Sequence, residues 1–277
     1  MVTHDDWRVD RLDLARYLER IGVPARAPGR AALDELHERH LRTFTFDNVD
    51  VLLGQHPGVG LDEVQAKFTG RGRGGYCFEH STLLAAALEQ LGYRVVRRLA
   101  RVGDPTAAPV SGRTHLVVEV VLGDERLLCD PGFGMSIVRP VPLVDGFEED
   151  QDGWRFRVTH EGGPGVWRLH RARTHGWEVM HSTDEIPVVP QDVEIGHHWT
   201  STSPASHFRQ DLIVAKLLPD RHVTVTAAAV TVRRPGAPVE HRPLARGELA
   251  EWLALLDVGL TDDETNRLLA LLAAQAR

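Results

Sequence analysis

The chain is expected to fold as an α+β protein in three consecutive parts: helical over residues 1–92, antiparallel β over 93–190 and mixed α/β over 191–277. Three observations carry this reading. Apolar residues recur at helical spacing in the first part, at a spacing of two in the second, and in short blocks of both kinds in the third. With 277 residues, 42% hydrophobic and 26% charged, the chain has a globular composition and the length for an ample core.

In the first part, Asp13 to Ile21 reads as a short amphipathic helix closed by Gly22 and Pro24. Arg30 to Leu41 follows, with Leu33, Leu36, His37, His40 and Leu41 on one face. A third helix is expected from Cys77 to Leu91, with Leu84, Ala87, Leu88 and Leu91 at helical spacing and Gly92 in the stop position. In the second part, Leu116–Val121, Arg126–Cys129, Trp154–Val158 and Gly165–Leu169 read as short strands between Gly-rich or acidic turns. That pattern fits a small barrel or an open antiparallel sheet. In the third part, Val223 to Val232 is strand-like and Gly247 to Leu255 helical. Thr261-Asp262-Asp263-Glu264 is a capping box opening a last helix that runs to about Ala274.

Composition excludes several classes of function. The 32 basic and 39 acidic residues leave a formal charge of −7, so the surface as a whole does not attract nucleic acid or anionic membrane. The N-terminus is polar and acidic where a signal peptide is basic and then apolar, and the longest apolar run, Leu268–Ala274, is far too short to span a bilayer. The chain therefore reads as cytoplasmic. Its two cysteines, Cys77 and Cys129, are too few for a disulfide scaffold or a four-thiolate zinc site. Among fifteen histidines there is no His-Glu-x-x-His, and no Cys-x-x-Cys accompanies them, so no metal site is expected.

Cys77 carries the strongest chemical signal. It ends Arg71-Gly72-Arg73-Gly74-Gly75-Tyr76-Cys77, where glycines let the backbone turn tightly before a helix begins. A helix N-terminus and nearby arginines favour the thiolate, the nucleophilic form. His115, on an alternating strand with Val117 and Glu119, is the candidate base. A two-residue loop of Gly123 and Asp124 makes His115 and Asp130 diagonal neighbours on one face. A Leu122-Gly123 loop sets them directly opposite, and a three-residue loop puts them on opposite faces. Asp130 can thus orient His115 while the other ring nitrogen serves the thiol. Cys129 points away from Asp130 beside Leu127-Leu128 and reads as core.

These residues resemble a known family. Arg73-Gly74-Gly75-Tyr76-Cys77-Phe78-Glu79-His80 is similar to the nucleophile motif of the arylamine N-acetyltransferases, Thr114-His115-Leu116 to their histidine strand, and Asp130-Pro131-Gly132-Phe133-Gly134 to their Asp-x-Gly-Phe-Gly motif. Phe46-Asp47-Asn48-Val49-Asp50 and Ser201-Thr202-Ser203-Pro204-Ala205-Ser206-His207-Phe208 resemble two flanking segments, and all five occur in family order. Thr45, Ser81 and Pro131 depart from the usual proline, asparagine and valine. The resemblance implies a helical bundle, a β-barrel and an α/β lid around a cysteine-proteinase-like core. It implies acetyl-CoA as co-substrate, no permanently bound cofactor, and transfer to an arylamine or hydrazine through an acetyl-cysteine on Cys77. Phe133, Gly132, Thr114, Tyr76 and Phe208 would contact substrate, and Arg71, Arg73, Thr114 and Gly132 would contact CoA. Alternatives are an amide synthase of the same scaffold closing a macrolactam, a cysteine peptidase or transglutaminase-like hydrolase, and a non-catalytic scaffold.

Overall fold

The computed structural model describes residues 4–107, 109–161 and 165–275. Six helices come first: α1 (His4–Trp7), α2 (Leu14–Ile21), α3 (Arg30–Thr43), α4 (Val49–Leu52), α5 (Leu61–Gln65) and α6 (Cys77–Gln90). Asp13 caps α2 by accepting the Arg16 N–H at 3.0 Å, and Gly22 closes it in the left-handed region. The buried face of α3 is the expected one, Leu33, Leu36, His37, His40 and Leu41. Helix α6 differs from the amphipathic expectation. It is buried from Cys77 through Leu88, because helices cover one side and a β-sheet the other. The short α4 and α5, and the π-turn Ala66–Gly70 leading into the glycine loop, had no periodic signal to announce them.

The middle of the chain is an antiparallel sheet whose spatial order is β5-β4-β3-β2-β9-β8-β7-β6. Its strands are β2 (Arg94–Val102), β3 (His115–Leu122), β4 (Glu125–Cys129), β5 (Val141–Pro142), β6 (Glu148–Gln151), β7 (Trp154–Glu161), β8 (Val166–Arg173) and β9 (Gly176–Thr183). Alternation sorts its side chains. Val118, Val120, Leu127 and Cys129 pack on α6, whereas Val117, Leu128, Phe156, Val158, Leu169 and Met180 fill the concave interior. The sheet curls toward a barrel, and buried Gln151 stitches its edges. Its side-chain oxygen accepts the Val138 and Arg139 N–H groups at 2.8 and 3.0 Å, and its amide donates to the Arg139 carbonyl at 2.8 Å. Residues 138–139 lead into β5 at the opposite edge.

The last part holds α7 (Pro190–Thr202), α8 (His207–Gln210), β10 (Val214–Leu217), β11 (His222–Val225), β12 (Ala229–Arg233), β13 (Glu240–Pro243), α9 (Glu248–Leu255) and α10 (Asp262–Gln275). The strand expected over 223–232 is a hairpin: the Thr226 hydroxyl accepts from the Ala228 and Ala229 N–H groups and turns the chain back. Val223, Val225, Val230 and Val232 pack on Leu249, Leu253, Leu268 and Leu272 of α9 and α10. The capping box is present, with the Thr261 N–H on Glu264 at 3.0 Å and the Glu264 N–H on Thr261 at 3.2 Å. Strand β1 (Phe46–Asp47), from the helical part, pairs with β10 and ties the first part to the last.

A buried chain of rings locks the helices together. The Thr45 carbonyl oxygen can only accept, so the His80 Nε2–H donates to it at 3.3 Å and His80 Nδ1 accepts from His40 Nε2 at 3.0 Å. His40 Nδ1 then accepts the Tyr17 hydroxyl at 2.9 Å. Burial holds His40 well below its ordinary pKa and His80 near 4, so both rings are neutral in the fold. Acid therefore destabilises the protein. The unfolded chain takes up protons near pH 6.5 that these rings refuse until about pH 4, so their contribution is full above 6.5 and lost as pH falls toward 4. Asp47, which burial raises to about 6, works in the opposite direction and offsets only part of this. Thermal unfolding followed by circular dichroism is expected to give a lower midpoint at about pH 4.5 than at about pH 6.5; an equal or higher midpoint would contradict the neutral network.

Candidate active site

Cys77 is the first residue of α6 and is buried. What holds it there is steric as much as conformational. Gly72 lies at φ +68°, where glycine is favoured, but Gly74 and Gly75 are needed for space. A Cβ on Gly74 would stand 1.7 Å from the Thr45 carbonyl oxygen, and one on Gly75 would stand 2.1 Å from a Glu79 carboxylate oxygen. That carboxylate accepts the Tyr76 N–H at 3.1 Å and the Lys67 ammonium at 2.8 Å. Lys67 also reaches Asp50 at 2.9 Å. Asp50 in turn accepts from Arg73 at 2.8 Å, and Arg73 from its other terminal nitrogen reaches Glu264 at 3.2 Å. Burial raises the Glu79 pKa, but Lys67 and His56 outweigh it and hold the carboxyl well below its usual range. The start of the Cys77 helix thus rests on a buried ionic lattice.

Across from it, the β3–β4 hairpin turns at Gly123-Asp124, with Leu122 opposite Glu125 and Val118 opposite Cys129. This is the register that makes His115 and Asp130 diagonal neighbours. His115 Nε2 donates to Asp130 Oδ1 at 3.0 Å. The other carboxylate oxygen takes a bond that sequence reasoning missed, from His181 Nε2 on β9 at 3.1 Å. The Gly132 N–H adds a longer contact to Oδ1 at 3.4 Å. No local pattern could have pointed to His181, because β9 reaches the site only through its pairing with β2, some eighty residues earlier in the chain. His115, Asp130 and His181 bring ligand-type atoms within 4.8 Å of one another. Each imidazole spends its Nε2 on a hydrogen bond to the carboxylate, so the arrangement is that of an anchored carboxylate–histidine pair.

Burial lowers the His115 pKa, but the charge and hydrogen bond of Asp130 and the contact with Cys77 outweigh it and lift the value to about 10. Asp130 is held well below the carboxylate range by His115 and His181 despite complete burial. Burial dominates at His181 and lowers its pKa, leaving it a neutral donor. The Cys77 thiol lies 3.6 Å from the Thr114 carbonyl oxygen. Gly132 packs on the nucleophile itself, since a Cβ there would stand 2.6 Å from the Cys77 Cα.

A cleft of about 670 Å³ opens over Cys77 and His115. Thr114, Gly132, Phe133 and Phe208 line it, with Phe133 edge-on to His115 at 5.2 Å between centroids. Phe46, Trp199, Arg171 and Arg233 also line it and were not foreseen as contact residues. Three expectations need correcting. Tyr76 is buried behind the cleft, its hydroxyl bonded to His197 on α7 and its ring edge-on to Phe208 at 5.5 Å. Arg73 is wholly buried as counter-charge to Asp50 and Glu264, so it is not available to a phosphate. Arg71 is half-exposed and bound to Glu264 at 2.7 Å, away from the cleft wall. Cys129 is a free thiol in the α6-facing core, where burial pushes its pKa far up.

Comparison with known proteins finds relatives of one family. A family model described as N-acetyltransferase covers residues 31–259. The arylamine N-acetyltransferase of Mycolicibacterium smegmatis is 34% identical over 238 residues, 83% of this chain and 85% of that protein. The crystal structure of the Nocardia farcinica arylamine N-acetyltransferase superposes with a TM-score of 0.89 at 33% identity, covering 96% of this chain and 97% of that one. The Mycobacterium marinum arylamine N-acetyltransferase in complex with CoA gives 0.87 at 28% identity, over 94% and 98%. With Cys77 and His115 in one cleft, Asp130 buried behind the histidine, and relatives that match most of its length, the chain belongs to the arylamine N-acetyltransferase family.

Proposed function

We propose that the chain is an acetyl-CoA-dependent arylamine and arylhydrazine N-acetyltransferase that works by double displacement through acetyl-Cys77. The observation that carries this reading is Cys77 beside an imidazole whose far nitrogen is fixed on a buried carboxylate, at the floor of an aromatic cleft. A His115 pKa of about 10 makes that ring an imidazolium at neutral pH, the counter-ion a Cys77 thiolate requires.

The thiolate attacks the thioester carbonyl, and the oxyanion forms beside the N–H groups of Cys77 and Phe78, which open α6 and have no intrahelical acceptor. Collapse of that intermediate breaks the bond to sulfur, and CoA leaves with the proton from His115. The amine nitrogen then attacks the acetyl-cysteine carbonyl, its proton passes to His115, and the Cys77 thiolate is expelled to restore the starting pair. Thiolate nucleophile and thiolate leaving group are closely matched in basicity, so the first transfer is nearly balanced. Asp130 keeps its charge throughout and holds His115 in orientation.

In this reading residues 1–92 supply the nucleophile, 93–190 the base and its carboxylate, and 191–277 cover the cleft. The protein acts in the cytoplasm. Its two thiols are free, and among the described residues no helix is long and apolar enough to cross a membrane.

The reading is tested by CoA release from acetyl-CoA with para-anisidine or an arylhydrazine, and by a mass gain of one acetyl group on Cys77 when the acceptor is withheld. No release from a protein whose Cys77 is still alkylated by iodoacetamide would favour the macrolactam-closing amide synthase instead. Cys77→Ser and His115→Asn are each expected to lower kcat/KM by about a thousandfold or more. Cys129→Ala is expected to keep kcat and cost about 1 kcal/mol in urea unfolding, the loss of one buried sulfur's contacts. His181→Leu removes a donor from the buried Asp130 carboxylate, a cost of about 1–3 kcal/mol in stability. It should also lower kcat. His181→Gln, which keeps a donor, should restore most of both.

A further inference from the structure

Strands β11 and β12 turn Val223, Val225, Val230 and Val232 toward α9 and α10, so their alternate residues face the cleft. His222 and Arg233 are cross-strand partners on that second face. His222 is pinned there by its bond to the Gly134 carbonyl, and Arg233 beside it lines the cleft that holds Cys77, Phe133 and Arg171. Arg171 and Arg173 both bind Glu178, Arg171 in a two-pronged pair at 2.8 and 3.1 Å. Arg233 has no carboxylate within ion-pair distance among the described residues, and its Nε is buried without a partner. Two arginines thus take up the one nearby carboxylate, and the third, Arg233, stands on the cleft wall without one, in a protein of net charge −7. Leaving a half-buried guanidinium uncompensated next to two others is costly unless an anion arrives to complete the site.

Position identifies which anion. The Arg171 guanidinium carbon lies 6.0 Å from the Phe133 ring centroid, and that ring is 5.2 Å from His115. Arg171 therefore stands about one aromatic ring beyond the reacting groups, and Arg233 lines the same cleft. An extended CoA thioester carries its first phosphate at the far end of the pantetheine arm, well past this distance. A carboxylate on the aromatic ring of an acceptor, or at the end of a short acyl group, falls within it.

We propose that Arg233, with Arg171 beside it, forms a carboxylate subsite that selects small anionic substrates at Cys77. The subsite rests on the acyl-transfer reading for its biological use, but its binding is measurable without turnover. Benzoate and benzamide are compared as protectants of Cys77 against iodoacetamide in the full-length protein. Benzoate should protect at roughly a tenfold lower concentration than benzamide, Arg233→Gln should abolish that difference, and Glu178→Gln, which frees Arg171 and Arg173, should enlarge it. The opposite signs of the two variants separate the subsite from a general loss of structure. Kinetics then name the source. If the carboxylate belongs to the acceptor, Arg233→Gln lowers the kcat/KM ratio of para-aminobenzoate to its methyl ester about tenfold. If it belongs to the acyl group, the ratio of succinyl-CoA to acetyl-CoA falls instead. Equal protection by benzoate and benzamide in the unaltered protein overturns the proposal, as does a rise in the acetyl-CoA KM of Arg233→Gln with both ratios unchanged, which would give the arginine to CoA phosphates. Absence of acyl transfer to every acceptor would sink the acetyltransferase reading and leave the protection result standing by itself.

Discussion

A single buried carboxylate sets the terms for the active site. Asp130 has no exposure to water, and an isolated carboxylate in such a place is prohibitively unstable. It persists because three elements deliver donors to it: His115 from β3, His181 from β9 and the Gly132 N–H just past β4. The curl of the sheet that joins β9 to β2 and β2 to β3 is what brings those donors to one point. In return, the charge of Asp130 lifts the basicity of His115 enough to keep a proton beside Cys77. The fold and the chemistry are thus balanced on the same oxygen atoms.

A second set of buried charges lies beneath the nucleophile. Asp50, Lys67, Arg73, Glu79 and Glu264 satisfy one another across α4, the π-turn, the glycine loop, α6 and α10. Such groups contribute less to net stability than their number suggests, because each had to leave water, but removing one strands its partners. Their effect is placement. Glu264 belongs to the capping box of the last helix, so the C-terminal part of the chain helps fix the glycine loop before Cys77. The Thr45 hydroxyl repeats the connection by donating to the Leu256 carbonyl at 2.6 Å.

Much of this is legible in the sequence where the determinants are local. The residues from 115 to 130 narrow the hairpin to a few registers, two of which bring His115 to Asp130, and the observed Gly123-Asp124 turn is one of those two. The final helix is marked by Thr261 and Glu264 three residues apart. Illegible features are those set by distant partners. His181 looks like any strand histidine until β9 meets β2. Arginines near a nucleophile suggest anion binding, yet Arg73 neutralises buried acids and the cleft's positive wall comes from Arg171 and Arg233, far along the chain. Helix α7 escapes detection because its buried residues, Val193, Gly196 and Thr200, make almost no apolar stripe. Two departures from the family pattern acquire a physical meaning. Thr45 bonds to the last part of the chain, and the Ser81 hydroxyl donates to the Leu116 carbonyl at 2.6 Å, tying α6 to the strand residue next to His115.

The contact of Gly132 with the Cys77 backbone has a consequence for the life of the chain before it is folded. Cys77 leaves the ribosome ahead of His115, Asp130 and His181, so until the β-sheet docks on α6 its sulfur has no imidazole beside it. The seam closed by Gly132 is therefore where a chemically quiet nascent polypeptide becomes one that can carry an acyl group. A copy in which that seam has not formed holds Cys77 apart from its base and carboxylate.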